Sequence, residues 1–423
     1  MGTRRVVGGV VAGVAVLVAA AAGATLGAQR VDASTPALSP RLSAAPQWVA
    51  APGTAPPITT PAQGSLAVDS VVGNTVDHLA AGEATATRPI ASITKTMTAL
   101  VVLELHPLIR GEAGPAVTVT RQDVQDYRSI AAAGGSVASV TLGEQLSERD
   151  ILLGLMLPSA NNLALTAARW VDGSVAAFVA RLNARAAALG MAHTHFADPD
   201  GLDPATTSTA ADLVILGRRA LADDALVDIV STTTATLPGG VVVANLDTLL
   251  SVEPGWIGIK TGWTPAAGGC LLFAARRMLA PRTPPVTVVG AVLGQPPDGS
   301  TSAAHPELGG AFRAARTAVE EAFAGYAAVV VQATSLPVGG TAFGPWGTAT
   351  SLRVHPSGPA LVVRLGEALT VTATPRPLAT PSPAGSTGGT VTLAAAGTVM
   401  GSWSLVTDGA LAGPSPWWRL LHG

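Results

Sequence analysis

The chain predicts an α+β domain followed by a small all-β domain. A block of helical periodicities begins at Pro89 and has strand-like runs on both sides, the pattern of a mainly antiparallel sheet with segregated helices. Beyond Ala327 the helical pattern gives way to short strand-like runs separated by Gly and Pro turns. With 423 residues, 48% of them apolar, the chain can fill two or three cores.

At the N-terminus, Arg4 and Arg5 precede residues 6–28, an uncharged run that spans roughly 34 Å as a helix. The positive-inside rule exports the rest of the chain, and residues 1–28 read as a signal peptide or an N-terminal membrane anchor. Ala22-Gly23-Ala24 is a small-x-small cleavage site. Residues 29–62 are rich in Pro, Ala, Ser and Thr and read as a disordered linker. The main domain is expected over 63–327, opening with a strand pair in "GSLAVDSVVGNTVDHLAAG".

Pro89 suits the first turn of a helix carrying Ile93, Met97, Leu100 and Val101. Ser147 and Asp150 form a capping-box pattern ahead of a helix stopped by Pro158, and "NNLALTAARWV" forms the next helix. Ser174 and Gly190 bracket a further helix; Thr209 and Asp212 repeat the capping pattern. "GGVVVANL", "GWIGIKTG", "GGCLLFAARR" and "PVTVVGAVLG" read as strands, followed by the helix "GGAFRAARTAVEEAFAGY". Residues 328–423 form the β domain, a spacer or a docking surface, with "TPRPLATPSPAGSTGG" as a flexible loop. The tail "PSPWWRLL" reads as a packed terminal strand rather than a membrane contact.

Composition excludes some classes. A net charge of −2 with 12% charged residues leaves no basic footprint for nucleic acid. Cys270, the single cysteine, sits in an apolar run and reads as core. The histidines, "HTHF" at 193–196 included, lack a metal-binding spacing, and no metal or cofactor is expected.

Of the 25 lysines and arginines, only Lys95 and Lys260 are lysine. Lys95 follows Ser92 by three residues, so on a helix the two share a face. Serine is a weak nucleophile until a base takes its proton; a neutral amine can, whereas a guanidinium stays charged. Lys260-Thr261-Gly262 joins a cation and a hydroxyl suited to a carboxylate with a glycine that admits a ligand backbone. If Lys260 lies close to Lys95, repulsion and burial both lower the Lys95 pKa. Between them, Ser159-Ala160-Asn161 lies at a junction of two helices, where Ser159 can pass a proton and Asn161 can orient an amide. Each motif alone has a plainer reading: a surface lysine, or a helix cap.

Together, Ser-x-x-Lys, Ser-x-Asn and Lys-Thr-Gly in this order resemble the penicillin-binding proteins and serine β-lactamases. "PIASITKTMTALVVLE", "LLGLMLPSANNLAL" and "GIKTGWTPAAGGCLLFAA" narrow the resemblance to the low-molecular-mass D-alanyl-D-alanine carboxypeptidases, over roughly residues 63–325. The resemblance implies a β-lactamase/transpeptidase-like fold and serine-type removal of the terminal D-Ala from peptidoglycan stem peptides, with β-lactams as acylating inhibitors. It implies Ser92 as nucleophile, Lys95 as base and Ser159 and Asn161 as catalytic partners. Lys260, Thr261, Gly262 and Trp263 bind substrate, the Ser92 and Trp263 amides forming an oxyanion hole. Asn162 departs from the family's usual Asp. The alternatives are a non-catalytic β-lactam or muropeptide sensor, an endopeptidase or transpeptidase, and a β-lactamase. The last lacks its extra glutamate, since none lies between Glu148 and Glu253.

Overall fold

A computed structural model describes residues 37–42, 47–51, 53–331, 336, 338–355 and 360–422; residues 1–28, expected to be a signal peptide or membrane anchor, lie outside them. The chain divides into two compact units, Thr54–Ala327 and a second that joins the segment before Thr54 to Ala328 and beyond.

The first unit is built on a five-stranded antiparallel sheet. In chain order its strands are β1 (Ser65–Val72), β2 (Thr75–Gly82), β3 (Trp256–Thr264), β4 (Gly268–Arg277) and β5 (Val286–Gln295). In space they run β3-β4-β5-β1-β2. β4 and β5 are buried almost end to end, as their unbroken apolar runs require of strands covered on both faces. β2, at one edge, alternates half-buried and exposed residues over most of its length. β3 is the other edge.

Eight α-helices follow in chain order: α1 (Thr94–Leu105), α2 (Arg121–Ala132), α3 (Glu148–Met156), α4 (Asn161–Asp172), α5 (Val175–Ala188), α6 (Ala210–Ala220), α7 (Asp224–Val230) and α8 (Pro306–Ala324). α6 and α8 pack on the sheet, while α1 is buried among α4, α5, α6 and α7. Ten of the twelve α1 residues are buried, from Thr94 to Leu103, so this helix is core on every side rather than amphipathic.

The caps follow the sequence signals with one exception. Ser147 accepts from Asp150 N–H and Asp150 returns the bond to the Ser147 N–H, a complete capping box, each cap worth about 1 kcal/mol. Thr209 caps α6, but Asp212 turns away and accepts from His193 N–H and Thr194 Oγ1, tying the 193–194 turn to the helix. "GGVVVANL" contributes Val241–Ala244 to a small hairpin with Thr234–Leu237, outside the main sheet.

The second unit holds a seven-stranded antiparallel sheet. Its order is Arg41–Leu42, Gly340–Phe343, Ala349–Val354, Thr398–Thr407, Thr387–Ala395, Ala368–Pro375, Gln47–Ala50. The expected disordered linker over 29–62 is corrected here, because two of its segments are strands, one at each end of the sheet. The sequence hides them: both are short and flanked by Pro40, Pro46 and Pro52, which sheets tolerate at edges. Two further expectations change. "TPRPLATPSPAGSTGG" is pinned by bridges from Leu378 to Leu38 and from Ser382 to Leu411, so it is not a free loop. The tail is a helix, Pro416–His422, rather than a strand. Ser415 Oγ accepts from Trp418 N–H at its start, and Trp418 meets Trp346 edge to face at 5.3 Å.

Candidate active site

Ser92 does not lie on α1. It occupies a 3-10 turn, Ala91–Ile93, just ahead of the helix. Ala91 takes a φ of +48°, a left-handed conformation that costs an L-residue about 1–2 kcal/mol. Thr94 Oγ1 donates to Ala91 O at 2.8 Å and holds the turn from within. Gly201 holds it from outside. Its φ is +83°, and a Cβ built there would stand 1.8 Å from Ala91 O, so only glycine lets the 197–206 loop lie backbone against backbone on the serine turn. Gly262 does the same from the sheet side. A Cβ there would fall 3.0 Å from Ile90 O and 3.1 Å from Ser92 N, so edge strand β3 closes directly onto the Ser92 amide.

Lys95, in the first turn of α1, is fully buried. Its Nζ lies 2.8 Å from Ser92 Oγ, 2.6 Å from Asn161 Oδ1 and 2.7 Å from Asp200 O. An amide oxygen and a backbone carbonyl can only accept, so they claim two N–H bonds of a neutral amine. The remaining position, the lone pair, then faces the serine hydroxyl. Burial lowers the Lys95 pKa to about 8, against the opposing pull of Asp200 and Asp198.

Ser159, between α3 and α4, has a φ of +64°, is buried, and its Oγ has no hydrogen-bond partner. A strained residue carrying an orphan hydroxyl is costly to a fold and suits a functional role. Asn161 opens α4, its N–H bonded to Ser136 O at 2.8 Å. Asn162 faces away from this cluster. Its Oδ1 accepts from Ala138 N–H at 3.1 Å and its Nδ2 donates to Ala138 O at 3.0 Å, a pair that aspartate could only half make.

On β3, Lys260 is buried, and its Nζ donates to Thr261 O at 3.0 Å and Thr261 Oγ1 at 3.4 Å. Burial pushes its pKa well down, with Lys95 adding to the fall and Asp247 opposing it. The expected repulsion between the two lysines thus acts on Lys260, which has fewer acceptors than Lys95. Trp263, 44% exposed, stands next along the strand.

Three aspartates complete the site and went unread in the sequence. Asp200, buried, has its pKa raised to about 7 by burial, although Lys95 opposes the rise. Asp198 shapes the loop, accepting from Gly201 N–H, Asp203 N–H and Thr206 Oγ1. Asp247 takes Trp256 Nε1–H at 2.9 Å and Leu249 N–H at 3.2 Å, and burial raises its pKa to about 6. No local signal in "PDGLD" shows that the Asp200 carbonyl reaches Lys95. Cys270 is buried on β4 opposite Gly262, and burial pushes its thiol up to about 12, the state of an inert core residue.

A serine–lysine pair, a second serine–asparagine pair and a lysine-bearing edge strand, on an antiparallel sheet with a helical cluster, define a serine acyl-transfer enzyme of the penicillin-binding class. The model of the D-alanyl-D-alanine carboxypeptidase family matches residues 52–289. D-alanyl-D-alanine carboxypeptidase DacB2 of Mycobacterium tuberculosis is 35% identical over 231 residues, 53% of this chain and 74% of that protein. The D-alanyl-D-alanine carboxypeptidase of Streptomyces sp. strain K15 is 34% identical over 264 residues, 58% of this chain and 87% of the relative. The crystal structure of the Streptomyces K15 DD-transpeptidase superposes with a TM-score of 0.53 at 29% identity, over 63% of this chain and all of that one. The chain belongs to the D-alanyl-D-alanine carboxypeptidase family, and it is a serine-type hydrolase with the penicillin-binding fold.

Proposed function

We propose that Ser92 attacks the carbonyl between the two D-alanines of a peptidoglycan stem peptide while Lys95 takes its proton. The observation that carries this reading is the placement of Lys95 Nζ at 2.8 Å from Ser92 Oγ, with two acceptor-only groups occupying its other bonds. The Ser92 and Trp263 amides receive the developing oxyanion, a contribution of about 3–4 kcal/mol in enzymes of this kind. Ser159 relays a proton to the departing D-alanine as the C–N bond breaks, and Asn161 orients the substrate amide. Water then cleaves the acyl ester. Thr261 and Lys260 hold the terminal carboxylate. That carboxylate adds to the opposing pull of Asp247, so substrate binding favours Lys260 in its charged form.

β-Lactams mimic the substrate and acylate the same serine. Incubation with benzylpenicillin and intact-mass measurement is expected to show a stable single adduct on the protein and none on Ser92→Ala. Intact drug with no adduct would sink the assignment; hydrolysed drug would favour a β-lactamase. Cleavage of crosslinks is a second activity that the same groups support, and a 31% identical relative from Escherichia coli bears the name D-alanyl-D-alanine endopeptidase.

Acylation requires neutral Lys95, so its rate is expected to rise with pH through a midpoint near 8. Asp200 raises the Lys95 pKa, and Asp200→Asn therefore moves the midpoint to lower pH. A pH profile of kcat/KM for penicillin acylation checks both; an unmoved midpoint removes Asp200 from the electrostatics of the base.

The family places the protein outside the cytoplasm, in the cell envelope. Tethering through residues 1–28, and a spacer or docking role for the β unit, complete the reading we favour.

A further inference from the structure

Asp247 is a buried carboxylate to which the reaction at Ser92 assigns no task. It stands at the head of a 3-10 turn, Thr248–Ser251, and is 3% exposed. It accepts from Leu249 N–H at 3.2 Å and from Trp256 Nε1–H at 2.9 Å. Capping alone does not call for a charge, since serine, threonine or asparagine caps as well. A carboxylate taken out of water is costly unless an opposite charge answers it.

The strand beside it carries that charge. Asp247 Oδ2 lies 3.3 Å from where a Cβ at Gly258 would stand, and Gly258 has a φ of +80°, so the carboxylate rests against the bare backbone of β3. From Gly258 onward the strand pairs with β4 in regular register, so Gly258, Lys260 and Gly262 share one face. It is the face on which Gly262 closes against the Ser92 turn. Lys260 is the next side chain along it, about 7 Å further by strand geometry. Lys260 is 2% exposed, and its Nζ is bonded to Thr261 O and Thr261 Oγ1, neither of them charged. With both groups out of water, their attraction is little screened.

The neighbouring acids are otherwise engaged. Asp228 on α7 is paired with Arg110 and Arg149, and Glu253, just ahead of β3, with Arg316. Lys95 also acts on Lys260, and it repels. We propose that Asp247 is a positioning residue of the carboxylate subsite, its negative charge biasing Lys260 toward the ammonium form that receives the terminal carboxylate. This rests on the role proposed above for Lys260 and extends it to the charge behind the lysine. A neutral amine at this position would offer a carboxylate hydrogen bonds without the charge that strengthens them.

The test is acylation of the full chain by benzylpenicillin and by its methyl ester, which lacks the carboxylate, followed by intact mass across pH. Both reactions share the Lys95 step, so the ratio of their rates reports the carboxylate subsite alone. In the wild-type protein the acid is expected to outpace the ester, and the ratio to fall as Lys260 loses its proton. Asp247→Asn, nearly isosteric, should lower the ratio about tenfold at pH 7 and move its fall to lower pH, with the ester rate kept within about twofold. Adding Lys260→Arg should restore the ratio, because a guanidinium keeps its charge unaided. Trp256→Phe retains the carboxylate and the stack on Phe273, at 5.7 Å in the native chain, and should leave the ratio as it is. It carries the test if Asp247→Asn does not fold. An unchanged ratio in Asp247→Asn overturns the proposal, as does a loss that Lys260→Arg fails to restore. A ratio lowered by Trp256→Phe would make Asp247 a clamp on β3 and overturn it too. Failure of the underlying reading shows in the wild-type protein instead: equal rates with the two ligands remove Lys260 from carboxylate recognition, and no adduct with either removes Ser92 as nucleophile.

Discussion

Lys95→Arg is expected to slow acylation of Ser92 by about 10²–10⁴-fold, the range a positioned general base supplies, although the positive charge is kept. In the proposed mechanism the lysine works by losing a proton, and its surroundings suit that loss. Burial brings its pKa to about 8, and Asn161 Oδ1 and Asp200 O each hold one N–H. A guanidinium keeps its proton under these conditions and has no lone pair to offer the serine. It is also too long for a pocket with no exposed surface. Stopped-flow acylation by a chromogenic cephalosporin, with thermal unfolding in parallel, separates lost chemistry from lost structure. A folded arginine variant with wild-type rate would remove Lys95 as the base. Lys260→Arg should be milder, because a carboxylate accepts from either cation.

The second large effect belongs to a residue with no functional group. Gly201→Ala is expected to cut the acylation rate by about 100-fold, the usual cost of misplacing a reacting atom by an ångström. It should also lower the melting temperature. The new Cβ must displace Ala91 O, from which it would stand 1.8 Å, and Ala91 immediately precedes Ser92. The positive φ adds about 1–2 kcal/mol of strain. Relief of the clash moves either the Ser92 turn or Asp200 O, and both spoil the Ser92–Lys95 geometry. Wild-type kinetics in this variant would mean that the loop is not what fixes the turn.

Much of the candidate site is legible in the sequence because the proposed chemistry depends on residue types rare in this chain. Two lysines among many arginines mark Ser92 and Lys260, and the helix caps at Ser147, Ser174 and Thr209 are local patterns. What escaped depends on tertiary approach. Asp200 serves Lys95 through a backbone carbonyl, which any residue possesses, and Asp247 reaches the neighbourhood of Lys260 only through folding. The 3-10 turn at Ser92 escaped too, since Ala91 gives no sign of a left-handed backbone until Gly201 and Gly262 close around it. The strands at 41–50 were missed for the reason that sheet edges usually are: they are short, proline-bounded and without periodicity of their own.

Those two N-terminal strands also impose an order of events. Arg41–Leu42 and Gln47–Ala50 are the outermost members of a sheet whose other five strands all follow Phe323 in the chain. A polypeptide delivered from its N-terminus across a membrane presents them first, yet their partners emerge only after the whole enzymatic unit has passed. The acyl-transfer unit can therefore mature while the β unit still waits, and the last strands to arrive, not the first, set the time at which the molecule is complete.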